Sequence, residues 1–379
     1  MPTDMKRIFS PSVWSGKKFS RKVFEEMKTL ASEIEKTRMK TINFMEVCGT
    51  HTMAIAASGI RSMLPKNIRM LSGPGCPVCV TSQGDIDRIL EISRIKDVVM
   101  TTFGDMMKVK GSGGESLYDI RKERGRVEVV YSPLDALKIS EKEKGKNVVF
   151  AGVGFETTAP LIAQTVIIAR ERKVENFYVA PLFKLVPPAL KLVLSDKTNK
   201  ISGFILPGHV SVILGSNAYS FLQKDFKVPS VIAGFEPMDI VRAINLLLYQ
   251  IKEERAEVEV EYTRAVRPNG NKTALRAMNE VFKPASAYWR AVGEIPNSGL
   301  AFTERFGRFD AFRKFGVKRK SVSEPKGCIC GKIIMGKALP GECKLFGKRC
   351  TPSDAVGPCM VSSEGACAAW FKYGAGNIP

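Results

Sequence analysis

From Thr41 to Glu253 the chain alternates short Val/Ile-rich runs with longer amphipathic ones. "INFMEV", "NIRML", "DVVMTT", "VEVVYS", "NVVFAGVG", "NFYVA", "GFIL" and "SVIAG" read as strands, and stretches such as "GDIDRILEISRI" and "FEPMDIVRAINLLLYQIKEE" read as the helices between them. Short runs apolar on both faces, spaced by helical segments, predict parallel sheets with crossover helices. At 379 residues the chain exceeds what one core organises, so the pattern predicts an α/β protein with two parallel-sheet lobes facing a cleft. A faint echo agrees with two related lobes: "AGVGFETTAP" and "AGFEPMD" both set Gly-Phe-Glu after a strand.

The boundaries expected on this pattern are 41–145 for the first lobe and 146–255 for the second. Residues 1–40 are basic and helical, with Phe24, Met27, Leu30 and Ile34 on one stripe that packs on the body. Beyond Glu253 the character changes. "EVEVEYTRAV" is one more strand, "NKTALRAMNEVF" a helix and "GEIPNSGL" a loop. Residues 256–379 then form a third, irregular or helical domain rich in cysteine.

Composition narrows the class. A hydrophobic fraction of 44% and a charged fraction of 25% are those of an ordinary globular protein. No apolar run approaches the ~18 residues of a membrane span, and "MPTDMKRIFS" has no signal-peptide h-region. Nine cysteines in such a chain point to a reducing, cytoplasmic compartment, where thiols serve metal or redox chemistry. The net charge of +20 suits nucleic acid, an acidic partner or simple solubility.

The special residues fall in one kind of place. Cys48, Cys76, Asp105, Glu156 and His209 each follow an expected strand, and open parallel sheets bind ligands beyond the carboxyl ends of their strands. In "GPGCPVC" (Gly73 to Cys79) two glycines and two prolines fix a turn carrying Cys76 and Cys79 two residues apart. These sulfurs can reach one metal or each other. "CGTH" sets Cys48 and His51 at a strand end, and "PGHVS" carries His209, the second of only two histidines. In "GFETT", Thr157 and Thr158 precede Pro160, which suits the first turn of a helix whose free N–H groups could hold a small anion.

The tail carries six cysteines, Cys328, Cys330, Cys343, Cys350, Cys359 and Cys367, in forty residues, a density that implies metal or cluster binding. Zinc sites usually pair cysteines as CxxC, which the tail lacks, so a [4Fe–4S] cluster is favoured. Spacing alone leaves open which four thiolates ligate. Just before it, "RFGRFDAFRKFGVKRK" sets Phe306, Phe309, Phe312 and Phe315 three apart among cations. That pattern suits base stacking, and equally a helix with one buried face.

The set CGTH, GPGCPVC, TFGDMMKV, GFETT, PGHVS and the six-cysteine tail resembles the HypD family of [NiFe]-hydrogenase maturation factors. The likeness extends to "YTRAVRPNGN", "YWRAVGEIPNSGL" and "GPCMVSSEGACAAW"; Lys110 stands where the family pattern has proline. The resemblance implies a scaffold on which iron acquires cyanide and carbonyl ligands, building the Fe(CN)2CO moiety for a hydrogenase large subunit. It implies cluster ligands at Cys328, Cys343, Cys350 and Cys367, and a redox pair at Cys330 and Cys359. Cys48 would hold the iron, His51 would stand near the cyanide, Cys76 and Cys79 would relay electrons, and Glu364 would assist. A HypC-type small chaperone and a HypE-type cyanide donor are the implied partners; neither nucleic acid nor membrane is. The competing expectations are an iron–sulfur disulfide reductase using Cys330 and Cys359, and a basic nucleic-acid-binding protein with a structural metal.

Overall fold

The computed structural model describes residues 17–123 and 125–374, so residues 1–16 of the expected N-terminal helical segment lie outside the described residues. The strands are β1 (Ile42–Glu46), β2 (Ile68–Ser72), β3 (Val98–Thr102), β4 (Arg126–Val129), β5 (Asn147–Gly154) and β6 (Phe177–Phe183), followed by β7 (Gly203–Pro207), β8 (Ser230–Ala233), β9 (Val258–Val260), β10 (Phe282–Trp289) and β11 (Gly293–Phe302). They form a parallel sheet in the order β2-β1-β7-β8-β9, a second parallel sheet in the order β4-β3-β5-β6, and the antiparallel hairpin β10-β11. β3 and β7 are buried at every position, which is why they read as continuous apolar runs.

The sheets do not follow the expected division at residue 145. β3 and β4 join β5 and β6, while β1 and β2 join β7. The chain starts one sheet, leaves after Ser72 to build all of the other, and returns at Gly203. Periodicity tells a strand from a helix but carries no pairing information, and these strands are all similarly apolar. β9 completes the first sheet, so residues 258–260 belong to that lobe. "GEIPNSGL", expected as a loop, is most of β11. It pairs with β10 across an irregularity at 285–287 that leaves Pro296 and Asn297 (φ 52°) outside the ladder, where a proline costs no hydrogen bond.

The helix Lys17–Thr37 lays Met27, Leu30 and Ile34 into a core shared with the helix Pro237–Lys252 and strands of the first sheet. A larger core runs without a break from β1 through the CxxC turn and the second sheet to Cys330, Cys359 and Cys367. The cysteine-rich region is therefore packed into the lobes. It contains short helices, Cys330–Ile334, Pro358–Val361 and Ala366–Tyr373, with irregular chain between. Phe306, Phe309 and Phe312 are buried, so packing takes up the faces that base stacking would need.

Each parallel sheet changes direction once. In the first, strand order reverses between β1 and β7; in the second, between β3 and β5. Switch points of this kind are where an open α/β sheet forms its ligand crevice, beyond the strand ends. CGTH and PGHVS follow β1 and β7, and TFGD and GFETT follow β3 and β5.

Candidate functional site

Cys48 is extended (φ −157°, ψ 125°) and occupies the N-cap position of the helix Gly49–Ala57. A helix N-terminus favours a thiolate, yet burial dominates and pushes the thiol up to about 12. Directly beneath it is Glu46, which the sequence reading passed over. Its Oε2 accepts the Cys48 N–H at 3.3 Å and its Oε1 accepts the Thr52 hydroxyl at 2.6 Å. Burial holds this carboxyl up at about 7. The available signal was a lone acid closing an apolar strand, since a buried carboxylate persists only where it is partnered.

His51 is fully buried; its Nε2 meets the Gly234 carbonyl at 2.9 Å, and burial pulls its pKa down to about 4. Its ring stacks on Phe235 with centroids 4.8 Å apart, and His209 stacks on Phe235 at 3.9 Å. Both histidines thus sit on one aromatic ring supplied by the Gly-Phe-Glu after β8. His209 stays exposed, so the pair offers one buried and one accessible imidazole.

The GPGCPVC turn docks on this loop backbone to backbone. Gly49 donates its N–H to the Gly75 carbonyl (3.1 Å), and Gly73 donates to Glu46 O (2.8 Å). A Cβ on Gly75 would lie 2.6 Å from Cys48 Cα, and closer still to Cys48 N. Cys76 and Cys79 are joined as a disulfide. Cys79 Sγ lies 4.0 Å from the carbonyl of Pro358, the residue before Cys359, and the helices Pro77–Val80 and Pro358–Val361 pack together. The helix carrying Cys367, Ala366–Tyr373, packs on Gly49–Ala57.

Glu364 closes the arrangement. Thr50 donates its hydroxyl to Glu364 Oε1 (2.8 Å), and Gly49 exposes bare backbone to it: a Cβ there would lie 2.9 Å from Glu364 Oε2. The Glu364 charge reaches both Cys48 and His209. Ser362 and Ser363 donate to Asp105 Oδ2 (3.0 and 3.2 Å), so one loop ties the two switch points together.

From the second sheet, Glu156 enters fully buried. Its Oε1 accepts the Val186 N–H (2.9 Å), its Oε2 has no partner among the described residues, and burial raises its pKa to about 7. Tyr219, also fully buried, has its oxygen 3.3 Å from Ser211 Oγ of PGHVS and feels the charges of both Glu156 and Cys48. It bridges the two lobes inside the core and was not singled out from sequence. Thr158 is the N-cap of Ala159–Glu171 without a side-chain cap bond, and Thr157 is exposed. No side-chain hydrogen bond joins either threonine to Cys48 among the described residues.

Of the tail thiols, Cys328 and Cys330 have sulfurs 3.2 Å apart, and Cys359 and Cys367 lie near enough to Cys330 to act on its ionisation. The Cys330 hydrogen bond brings the Cys328 thiol down to about 7. Val356 donates its N–H to Cys350 Sγ (3.3 Å), while Cys343 lies half-exposed with its sulfur 3.9 Å from Gly327 O. Gly357 leaves room beside this group, since a Cβ there would stand 2.6 Å from Cys328 Sγ and 2.8 Å from Cys330 Sγ. Among the described residues no group of three or more His, Cys, Asp or Glu side chains is placed to hold a metal ion. Soft thiols are the donors that an iron–sulfur cluster takes, but the group around Cys330 is Cys328, Cys330, Cys359 and Cys367 and not the expected Cys328, Cys343, Cys350 and Cys367.

Comparison with known proteins bears on the whole arrangement. The family model HypD, described as the hydrogenase formation hypA family, matches residues 25–374. A hydrogenase maturation factor HypD of Cupriavidus necator is 43% identical over 339 residues, covering 88% of this chain and 89% of the relative. One of Escherichia coli is 41% identical over 352 residues (93% and 94%). A putative hydrogenase expression/formation protein of Methanocaldococcus jannaschii is 40% identical over 353 residues (93% and 96%). The residues of the crevice, the docked CxxC turn and the thiol-lined tail therefore lie on a chain that belongs to the HypD family and has its role in hydrogenase maturation.

Proposed function

We propose that this chain is the scaffold on which the Fe(CN)2CO moiety of a [NiFe] hydrogenase is built, with Cys48 holding the iron. The observation that supports this most strongly is the unbroken packing from Cys48, through Gly75 and the Cys76–Cys79 turn, to Pro358–Cys359 and the tail thiols. The iron, as substrate, takes the place of the Cys48 proton; a thiol that burial holds protonated becomes a strong ligand once a cation compensates its charge. Glu46 fixes the Cys48 backbone N–H, Glu364 lies beside the helix start, and His51 and His209 supply one enclosed and one open imidazole. Cyanide and carbonyl stabilise low-valent iron, for which a soft thiolate is a suitable anchor.

Reduction of the Cys76–Cys79 disulfide takes two electrons and two protons and returns two thiols. A bound [4Fe–4S] cluster would supply single electrons there. The resemblance implies Cys328, Cys343, Cys350 and Cys367 as its ligands, with Cys330 and Cys359 as a second dithiol. Thr157, Thr158 and His209 are assigned to the cyanide-handling end. A HypC-type chaperone contributing another thiolate and a HypE-type cyanide donor are the partners.

The test is anaerobic co-purification with the chaperone and cyanide donor, followed by infrared spectroscopy. Cyanide and carbonyl stretches are expected from the wild type. Cys48→Ala should lose those bands and keep the cluster's visible absorption. Absence of the bands with all partners supplied defeats the proposal; dithiol turnover without any bound extra iron would make the chain a disulfide reductase instead.

A further inference from the structure

Both histidines stack on the loop that follows β8, and that loop is braced by buried charges the proposed function does not use. Glu261 is 9% exposed and comes directly after β9, at the same rim of the first sheet as Cys48 and His209. Its Oε2 accepts the Gly234 N–H at 3.1 Å, and its Oε1 stands 3.4 Å from Nη1 of Arg242, buried on the helix Pro237–Lys252. Asp239, one turn earlier on that helix, accepts the Glu236 N–H (3.2 Å) and is paired with Arg264. Buried charges persist only where partners hold them, and what this group encloses is Gly234. A Cβ there would lie 2.1 Å from Asp239 Oδ2 and 2.8 Å from Tyr262 Cδ2, so its backbone has no room to turn.

Gly234 offers its carbonyl to His51 Nε2 at 2.9 Å. A carbonyl oxygen only accepts, so Nε2 carries the hydrogen, and in the neutral ring Nδ1 is then an acceptor. Nδ1 is buried and has no hydrogen-bond partner among the described residues. A charged ring would bury a second N–H there with nothing to receive it. Phe235, next after Gly234, stacks on the same imidazole, so one short loop fixes both its plane and its tautomer.

We infer that Glu261 is a positioning residue for His51: by holding Gly234 at its N–H it keeps the Gly234 carbonyl on Nε2, and this leaves Nδ1 as an acceptor. Glu46 holds the Cys48 N–H in the same manner from the end of β1. A ligand that meets Nδ1 must bring the proton of the hydrogen bond. Water and hydrogen cyanide do so; a cyanide ion, or the nitrogen of a cyanide already on iron, is itself an acceptor and does not. That consequence rests on the function proposed above, whereas the tautomer and its support stand without it.

The test uses the full-length chain isotopically labelled at the histidine nitrogens, where only two imidazoles contribute. Long-range proton–nitrogen correlation spectra read the tautomer of each, and His209→Gln identifies the signals of His51. The wild type should carry hydrogen on His51 Nε2 and none on Nδ1, with slow exchange of the Nε2 hydrogen. Glu261→Asp keeps the charge but draws the oxygen back from Gly234; exchange should become about tenfold faster, the size of one lost hydrogen bond to a charged group. Glu261→Gln loses the charge but keeps an oxygen at full reach, and should stay within about twofold of wild type. An ion pair that serves stability alone predicts the reverse order, with Glu261→Gln the more damaging change. That reverse order overturns the inference, and so do equal rates in the two variants. A wild-type His51 with hydrogen on Nδ1 overturns it even where a variant fails to fold. Absence of cyanide and carbonyl bands would defeat the proposed function and leave the tautomer result standing.

Discussion

Gly75→Ala isolates the contact on which the site depends. The new methyl would meet Cys48 Cα at 2.6 Å and Cys48 N and Val47 C closer still. All three are backbone atoms, so no rotamer change relieves the clash and the two loops must part. Overpacking of this kind costs about 1–3 kcal/mol, and rigid neighbours place it at the upper end. Parting the loops also breaks the Gly49 N–H to Gly75 O bond, worth about 1 kcal/mol. The total is about 4 kcal/mol. With an unfolding entropy of about 2.1 cal/mol/K per residue, a chain of this length should melt about 5 °C lower. Calorimetry reads the stability, and infrared spectroscopy of the chaperone complex reads the site, where cyanide and carbonyl bands should weaken as Cys48 moves away from the turn. Gly113→Ala is the control, because nothing lies within 4 Å of its Cβ and its effect should stay within about 0.5 kcal/mol. If Gly75→Ala melts with the wild type and keeps full band intensity, the two loops do not support one another and the packing argument fails.

Burial raises the Glu156 carboxyl from its ordinary 4.5 to about 7, so the folded chain binds an extra proton between those values. Its contribution to stability is complete below about pH 4.5, and about 3 kcal/mol of it is lost as pH rises through about 7. Glu156→Gln should flatten that part of the profile, with urea midpoints at pH 5 and pH 8 as the measure; equal slopes in variant and wild type would contradict the burial argument. Asp105→Ala removes the acceptor of the Ser362 and Ser363 hydroxyls, two charge-assisted bonds at a half-exposed site, and should cost about 2 kcal/mol. Limited proteolysis should then cut near 362–364, and the cyanide and carbonyl bands should fall while cluster absorption remains. Protection equal to wild type would show that Asp105 does not hold the loop.

The strands and most helices were legible because burial on both faces writes itself as apolar runs, and every residue flagged at a strand end does follow one. What periodicity could not convey was pairing: nothing in "DVVMTT" says it belongs beside "NVVFAGVG" and not beside "INFMEV". β11 was missed for a related reason, since Pro296 and Gly299 mark a loop by composition, whereas the hairpin accommodates the proline in an irregular stretch. At the site, Cys48, Glu364 and the Cys76–Cys79 turn were visible as unusual residues in stiff turns. Glu46, Tyr219 and Phe235 were not. Each looks ordinary in its own segment and gains its role from a neighbour distant in sequence, as Phe235 does by stacking on histidines from two other loops.

The sheet order also explains how the dithiol is held. The chain crosses between sheets twice, at 73–97 and at 184–202, and the Cys76–Cys79 turn lies on the first crossing. Lys184 opens the second, and its Nζ stands 3.7 Å from Asp85 Oδ2, both side chains being buried; Ser82 donates to the same carboxylate at 2.9 Å. Leaving either charge without the other would cost about 3–5 kcal/mol, so the crossings are fastened to each other just past the dithiol. Arg290 fastens Val80 and Thr81 from the tail side, and Gly75 fastens the start of the turn to Cys48. A hinge between lobes needs connecting segments free to change their backbone angles, and here the first crossing is pinned at three places. The surroundings of Cys48 are accordingly fixed on this side, and on the other the Ser362–Glu364 loop is held by its two serine hydroxyls on Asp105, by Thr50 on Glu364 and by the backbone bonds of Ser362 with Pro358 and Gly365. Under the proposed function, iron and a chaperone's thiolate would therefore reach Cys48 without an opening of the lobes.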